Sequence, residues 1–165
     1  SGLGMVVGSI FVARVSKHYI ETGIIPVGAF GVALSIYSIP ALTSLYSLGT
    51  AMFLFGFFSG LFMVPLNSLI QFSTPSNILG KVLAGNNFMQ NLSMFAFLML
   101  TASFGYLNLS SSSLFYIISI IAFLAMAYTF LKLPQSIIRY LVKIVIGFKY
   151  SLHVDGLNNI EGKGG

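Results

Sequence analysis

Between Glu21 and Lys132 the chain carries one charged side chain, Lys81. Charged groups cover the surface of a water-soluble domain because they are costly to bury. A long segment almost without them therefore has hydrocarbon, not water, around most of its surface. Over the whole chain, hydrophobic residues make up 56% and charged residues 7%, whereas soluble domains have about 25% charged residues. The sequence predicts an integral membrane protein.

The apolar segments of the chain predict membrane-spanning helices. A helix needs about 20 apolar residues to cross a hydrocarbon core of roughly 30 Å. Hydrocarbon contains no water that could form hydrogen bonds with the backbone, so each span must form its backbone hydrogen bonds internally. A continuously apolar segment does this as a helix. We therefore predict an all-α fold of about five spans. They cover residues 2–15, 23–41, 44–72, about 78–107 and about 112–132.

The charges in the connections between these spans alternate along the chain. Arg14 and Lys17 follow the first span, and Lys81 begins the fourth, whereas the connections at 39–44 and 108–113 are uncharged. More basic residues follow the fifth span, namely Lys132, Arg139, Lys143 and Lys149. Because positively charged loops stay in the cytoplasm, we expect the first connection and the C-terminus to be cytoplasmic.

The chain divides into three predicted regions. Residues 1–133 hold the transmembrane helices, and residues 134–149 are expected to form an amphipathic linker helix in the membrane interface, with Arg139 and Lys143 on one face. Residues 150–165 are polar and are expected to be the truncated beginning of a soluble domain. The first residues read as a membrane helix already under way, so we expect the chain to be a piece of a longer protein.

Amide side chains are concentrated in the third and fourth predicted spans. Such groups do not face lipid cheaply, so they are expected to point into a bundle or a wet cavity. They are candidates for a substrate path or gate, and the alternative is hydrogen bonding that holds helices together. The candidates are Asn67, Gln71, Asn87, Gln90 and Asn91, with Asn86 and Ser93 nearby. We expect the amides of the third span to lie close to those of the fourth.

Proline and glycine mark further positions in the spans. Pro65 removes a backbone hydrogen bond inside the third span and is predicted to kink it. The pairs Gly4–Gly8 and Gly56–Gly60 have the spacing of small residues that allow membrane helices to approach closely.

The residue content gives little support to catalysis. The chain has no cysteine and three acidic residues, and its two histidines, His18 and His153, lie in a basic connection and in the polar tail. We therefore predict no catalytic residue, no metal site and no cofactor. The basic residues border apolar runs, which indicates contact with membrane lipids and not with nucleic acid.

Two stretches of the transmembrane region resemble known transporters. The segment 8–17 resembles the cytoplasmic loop motif of major facilitator superfamily transporters, with Gly8, Arg14 and Lys17 at its marked positions. The segments 60–71 and 85–91 are similar to bacterial lysophospholipid transporters. The resemblance implies a partial half-bundle, corresponding to helices eight to twelve of twelve. It also implies a lysophospholipid substrate and a partner, the missing N-terminal half of the transporter.

The tail resembles another family. Residues 154–160 look like the entry to a glycerolipid acyltransferase domain, which in some bacteria follows such a transporter. The catalytic signature of that family, a His followed after four residues by an Asp, is absent, because Asn158 stands where His153 would require the Asp. We therefore expect no enzyme activity from these residues and a downstream acyltransferase domain in the parent protein.

Together the resemblances imply a transporter that flips lysophosphatidylethanolamine-like lipids across the bacterial inner membrane, fused to an acyltransferase for phospholipid remodelling. One alternative is a major facilitator transporter of a small polar solute. Another is a membrane anchor of an acyltransferase that transports nothing.

Overall fold

The fold is entirely helical over the residues that the structure, a computed structural model, describes, namely 1–16 and 22–132. Five α-helices follow one another, and a short 3₁₀ turn, Ile39–Ala41, extends the second. They are α1 (Gly2–Val15), α2 (Ile24–Ser38), α3 (Leu45–Ser73), α4 (Leu79–Tyr106) and α5 (Ser111–Lys132). The predicted all-α class is confirmed for these residues, and the predicted span boundaries agree with the helices to within one residue once the 3₁₀ turn is included with α2.

Four of these helical segments are long and apolar enough to cross a membrane. They are Ile24–Ala41, Leu45–Ser73, Leu79–Tyr106 and Ser111–Leu131. α1 has 14 residues, and at 1.5 Å per residue it measures about 21 Å, shorter than the hydrocarbon core. The structure thus supports a membrane protein with four helices of spanning length, and the fifth crossing stays a prediction.

Glycines determine how α1 packs against α3. A methyl group built on Gly4 or Gly8 would overlap the backbone of Phe53 or Phe57, respectively. Conversely, a Cβ on Gly60 would lie 2.8 Å from the backbone oxygen of Met5. Higher numbers in α1 meet higher numbers in α3, so the two helices run in the same direction. The role in close packing predicted for both glycine pairs is confirmed.

α2 occupies the centre of the bundle, in contact with both α3 and α5. Its Gly28 and Gly31 lie against Phe62 and Phe58 of α3, and Tyr37 packs its ring 5.9 Å from that of Tyr116 in α5. Gly28 meets a higher residue number than Gly31 does, so α2 and α3 are antiparallel. The small side chains of α2 bring it close to both of its neighbours.

α4 lies at the edge of this arrangement. It has no buried residue and touches the rest of the described bundle mainly through a sparse contact with α5. Its large apolar side chains are exposed, among them Phe88, Met94 and Phe95. α4 is therefore a helix of spanning length whose surface the described residues leave almost wholly uncovered.

The two uncharged connections lie at the same end of the bundle. An apolar cavity of about 250 Å³ is lined by residues that adjoin both of them, such as Ile39 beside the first and Phe115 beside the second. Val12, near the end of α1, instead packs against Ile24 and Leu61 in the core at the opposite end. This arrangement agrees with the alternation of charged and uncharged connections in the sequence.

The connection between α4 and α5 is closed by a backbone motif. Asn108 has a φ of 52°, in the left-handed region. The backbone N–H of Leu109 donates to the Phe104 carbonyl at 3.0 Å, and that of Asn108 donates to the Gly105 carbonyl at 3.2 Å. This is the paired hydrogen-bond pattern of a Schellman cap, which requires a residue that tolerates positive φ.

We expect Asn108→Ala to destabilise the chain by about 1 kcal/mol relative to Asn108→Gly, because only glycine adopts positive φ without steric cost. Thermal unfolding of the purified variants in one detergent would measure the difference. Equal midpoints for the alanine and glycine variants would contradict this account of the turn.

Candidate functional site

The candidate site consists of amide side chains on α3 and α4. Asn67 is half-buried and Gln71 is exposed in the last turns of α3. On α4, Asn87, Gln90 and Asn91 are exposed, and Asn86 beside them is half-buried. All of these residues lie within regular helix, so their positions around each helix axis follow from the helical repeat.

The α4 amides occupy one side of their helix. With 100° between successive residues, Asn86, Asn87, Gln90 and Asn91 fall within an arc of about 140° and span about 8 Å of the helix axis. We call these four residues the α4 amide face. It belongs to the least apolar of the four helices of spanning length.

Many hydroxyl groups within the helices are hydrogen-bonded, but the amides are not. Ser93 donates to the Met89 carbonyl at 2.8 Å, and Thr101 donates to the Phe97 carbonyl at 2.9 Å. Serine and threonine can bond the preceding helical turn in this way. No side-chain hydrogen bond joins any of the six amides to another group among the described residues. The site therefore presents both donors and acceptors that lack partners.

The amides of α3 and α4 do not form one cluster. α3 uses its packing surface for α1 and α2, whereas α4 touches α5 sparsely. The expectation that all five predicted amides point into the interior, with those of α3 close to those of α4, is therefore not met in the described bundle. Gln71, Asn87, Gln90 and Asn91 are exposed instead, and a face of this kind needs a partner that supplies hydrogen bonds.

Two of the residues predicted for a cytoplasmic loop motif belong to α1. Gly8 lies in the middle of α1 and is buried against the Phe57 backbone, so the motif begins inside the first helix. Arg14 is exposed in the last turn of α1. Lys17 lies outside the described residues. The structure therefore describes the helical part of this segment and not the loop that follows it.

Pro65 lies inside α3, which continues as one helix from Leu45 to Ser73. Its side chain is among the most fully buried of the described residues. It has no backbone N–H, so it donates no hydrogen bond to the Leu61 carbonyl. The kink predicted at this position stays a prediction.

Several other predictions fall on residues outside the description. They concern the interfacial helix with Arg139 and Lys143 and the tail at 150–165. Among the residues that are described, no group of three or more His, Cys, Asp or Glu side chains is placed to hold a metal ion.

Sequence reasoning missed a second polar group, the hydroxyls between α2 and α3. Ser35 is buried and donates to the Gly31 carbonyl at 2.7 Å. Ser35 lines a cavity between α2 and α3, together with Ser38, Ser47 and Thr50. The signal that could have revealed it is the run of small residues in α2, because small side chains allow helices to approach and leave space where a larger residue separates them.

No protein-family model, curated protein or solved structure matches the chain.

Proposed function

We propose that the chain is part of a membrane transporter of the major facilitator type that moves a lysophospholipid across a bacterial inner membrane. The observation that carries the proposal is the α4 amide face. It consists of unpaired amides on an exposed helix of spanning length. The assignment to lysophospholipids also rests on the resemblance of segments 60–71 and 85–91 to transporters of these lipids.

An unpaired amide in hydrocarbon is unfavourable by several kcal/mol. The α4 amide face is therefore expected to meet polar groups of another transporter half, of a substrate or of water in a cavity. In transporters built from two repeats, the substrate lies between the halves. Under the proposal, α4 contributes to the wall that the two halves share.

The surroundings of the α4 amide face suit an amphiphilic substrate. Exposed apolar side chains such as Phe88, Leu92 and Phe95 share the helix with the amides. Lys81, in the first turn of α4, is the one charged residue between Thr22 and Leu131. Acyl chains need apolar walls, and a headgroup needs a few uncharged or weakly charged hydrogen-bonding groups. Under the proposal the C-terminus is cytoplasmic and leads into an acyltransferase domain.

The first test is the reading frame that encodes the chain. The proposal expects further membrane helices before Ser1 and the His-x4-Asp signature shortly after Gly165. If the signature is present but no further helices are, the chain is the anchor of an acyltransferase. If twelve helices are present but the signature is not, the fusion is excluded, and a small polar solute becomes the competing substrate.

The second test is a set of amide variants in that complete protein. We expect Asn87→Leu and Asn91→Leu each to reduce lysophosphatidylethanolamine uptake into right-side-out membrane vesicles or proteoliposomes about tenfold, because each removes hydrogen bonds to the headgroup path. Leucine matches asparagine closely in size, so the change removes polarity with little change in shape.

Ser103→Leu is the matched control for these variants. Ser103 is exposed on the other side of α4, and its hydroxyl is already paired with the Met99 carbonyl at 2.8 Å. This variant should transport at the wild-type rate. Normal uptake by both asparagine variants at normal expression would contradict a transport role for the α4 amide face.

A further inference from the structure

A cavity of about 540 Å³ opens between α2 and α3, at the end of the bundle that carries the uncharged connections. At its inner end the Phe58 ring lies against Gly31, where even a methyl group would overlap it. From this contact the cavity continues to Leu42 and Ser47. The phenylalanine that packs on the glycine thus forms the floor of the cavity.

The size of this cavity suits a single acyl chain and not a helix. One helical turn is about 5.4 Å long and 10–12 Å across, so it occupies about 400–600 Å³. The cavity therefore holds little more than one turn, too little for a docked helix. Along α2 and the 3₁₀ turn after it, the cavity reaches from Gly31 to Leu42, about 16 Å. This length is about half of the roughly 30 Å hydrocarbon core, the depth that one lipid chain occupies in its leaflet.

The lining combines apolar side chains with hydroxyl groups, among them the buried Ser35 beside Leu34. Leu34, Leu54 and Phe58 provide apolar walls, and hydroxyls of Ser38 and Thr50 lie towards the connection. None of the lining residues is charged. The basic side chains of Arg14 and Lys81 belong to the opposite end of the bundle, where α1 ends and α4 begins. A phosphate or carboxylate in this cavity would have no lining cation to pair with.

The hydroxyls present hydrogen-bond acceptors to the cavity. Ser38 donates its proton to the Ser35 carbonyl at 2.9 Å, and Ser47 donates to the Ser44 carbonyl at 2.8 Å. Thr50 donates to the Tyr46 carbonyl at 2.9 Å. A hydroxyl has one proton and two acceptor sites. Because these protons are used inside the helices, only the acceptor sites of the hydroxyl oxygens remain available to a ligand. Such sites favour a ligand that carries its own hydrogen-bond donors, such as an alcohol.

We propose that this cavity is a binding site for a neutral single-chain glycerolipid of the monoacylglycerol class. The acyl chain extends towards Phe58, and the glycerol hydroxyls donate to the oxygens of Ser38, Ser47 and Thr50. The site is distinct from the amides of α3, because Phe58, which lines the cavity, and Asn67 are 9 residues, or about 14 Å, apart along the helix. It requires only that the chain is embedded in a membrane, and it does not depend on transport.

The test is photo-crosslinking of the purified chain in phosphatidylcholine nanodiscs. Three probes share one acyl chain with a diazirine at its end, and they are a monoacylglycerol, a lysophosphatidylethanolamine and a fatty acid. We expect the monoacylglycerol to label peptides of α2 and α3 around Gly31 and Phe58 about fivefold more than either charged probe, the size of effect expected for one or two hydrogen bonds.

Two variants of Thr50 and one control separate the contributions of shape and polarity. Thr50→Phe fills the cavity and should reduce labelling about tenfold. Thr50→Val keeps the shape but removes an acceptor, so labelling should persist while the preference for the monoacylglycerol falls. Gly49→Phe is the control for a new aromatic ring, because a Cβ on Gly49 meets nothing within 4 Å and Gly49 does not line the cavity.

The outcomes decide between the binding site and unspecific contact with lipid. Labelling of α4 as strong as that of α2 and α3, or labelling unaffected by Thr50→Phe, would overturn the site. Equal labelling by all three probes would overturn the assignment to a neutral hydroxyl-bearing lipid. Stronger labelling by the lysophosphatidylethanolamine would reassign the cavity to the substrate of the proposed transporter.

Discussion

Gly8→Leu is expected to abolish the packing of α1 on α3 and to destabilise the chain by about 3 kcal/mol or more, at the upper end of the range for overpacked sites. The reason is that the Cβ of any side chain at Gly8 meets the backbone of Phe57. Backbone atoms cannot rotate away as the end of a side chain can, so the helices must separate. Heating the detergent-solubilised variant and measuring the remaining monodisperse fraction by size exclusion would show the loss.

Gly49→Leu is the matched control, since it adds the same side chain to α3 at a position with open space around the Cβ. Its unfolding midpoint should stay near that of the unmodified chain. Gly60→Leu should behave like Gly8→Leu, because its Cβ would lie 2.8 Å from the Met5 backbone oxygen. Unchanged stability of both Gly8→Leu and Gly60→Leu would show that α1 does not pack on α3 in the membrane.

The second large effect concerns orientation in the membrane. In intact bacterial cells, a membrane-impermeant maleimide is expected to label Ser44→Cys and Ser110→Cys but not Lys81→Cys. The last variant should react only after the membrane is permeabilised. The chain has no native cysteine, so each engineered thiol reports on one position without background.

The physical reason is that basic residues resist translocation and remain cytoplasmic. Lys81 follows the end of α3, whereas Ser44 and Ser110 precede the first residues of α3 and α5 at the other end of the bundle. A protein that does not cross the membrane would not show this difference in labelling between the two ends of the bundle. Labelling of Lys81→Cys and Ser110→Cys from the same side would contradict the topology, and labelling of all three in intact cells would exclude a bundle that spans the membrane.

How far the sequence predicts the fold depends on whether the property concerned is local. Helix positions followed from apolar runs and their polar or proline ends, so predicted and observed boundaries differ by one residue at most when the 3₁₀ turn is counted with α2. The glycine pairs were also readable, because Gly4 and Gly8 lie one turn apart on the same face, as do Gly56 and Gly60. Both inferences need only spacing and composition within one helix.

The candidate site was readable only in part. The sequence located the amides, and the helical repeat correctly placed Asn87, Gln90 and Asn91 on one side of α4. It did not reveal that α4 stands at the edge, without a buried residue, or that α3 turns its packing surface to α1 and α2.

By itself, the sequence determined the membrane environment, the helical class and the extent of each helix, because hydropathy and charge act on each segment separately. Only the tertiary structure decided that α2 is central, that α4 is peripheral and that a cavity opens beside Phe58. In water an amphipathic pattern tells which face of a helix is buried. In a membrane the lipid is as apolar as a leucine-rich interface between helices. An apolar side chain is therefore equally suited to contact with lipid and to contact with another helix. Which helices become neighbours depends instead on small residues and on shape, and these contacts are visible only in the packed structure.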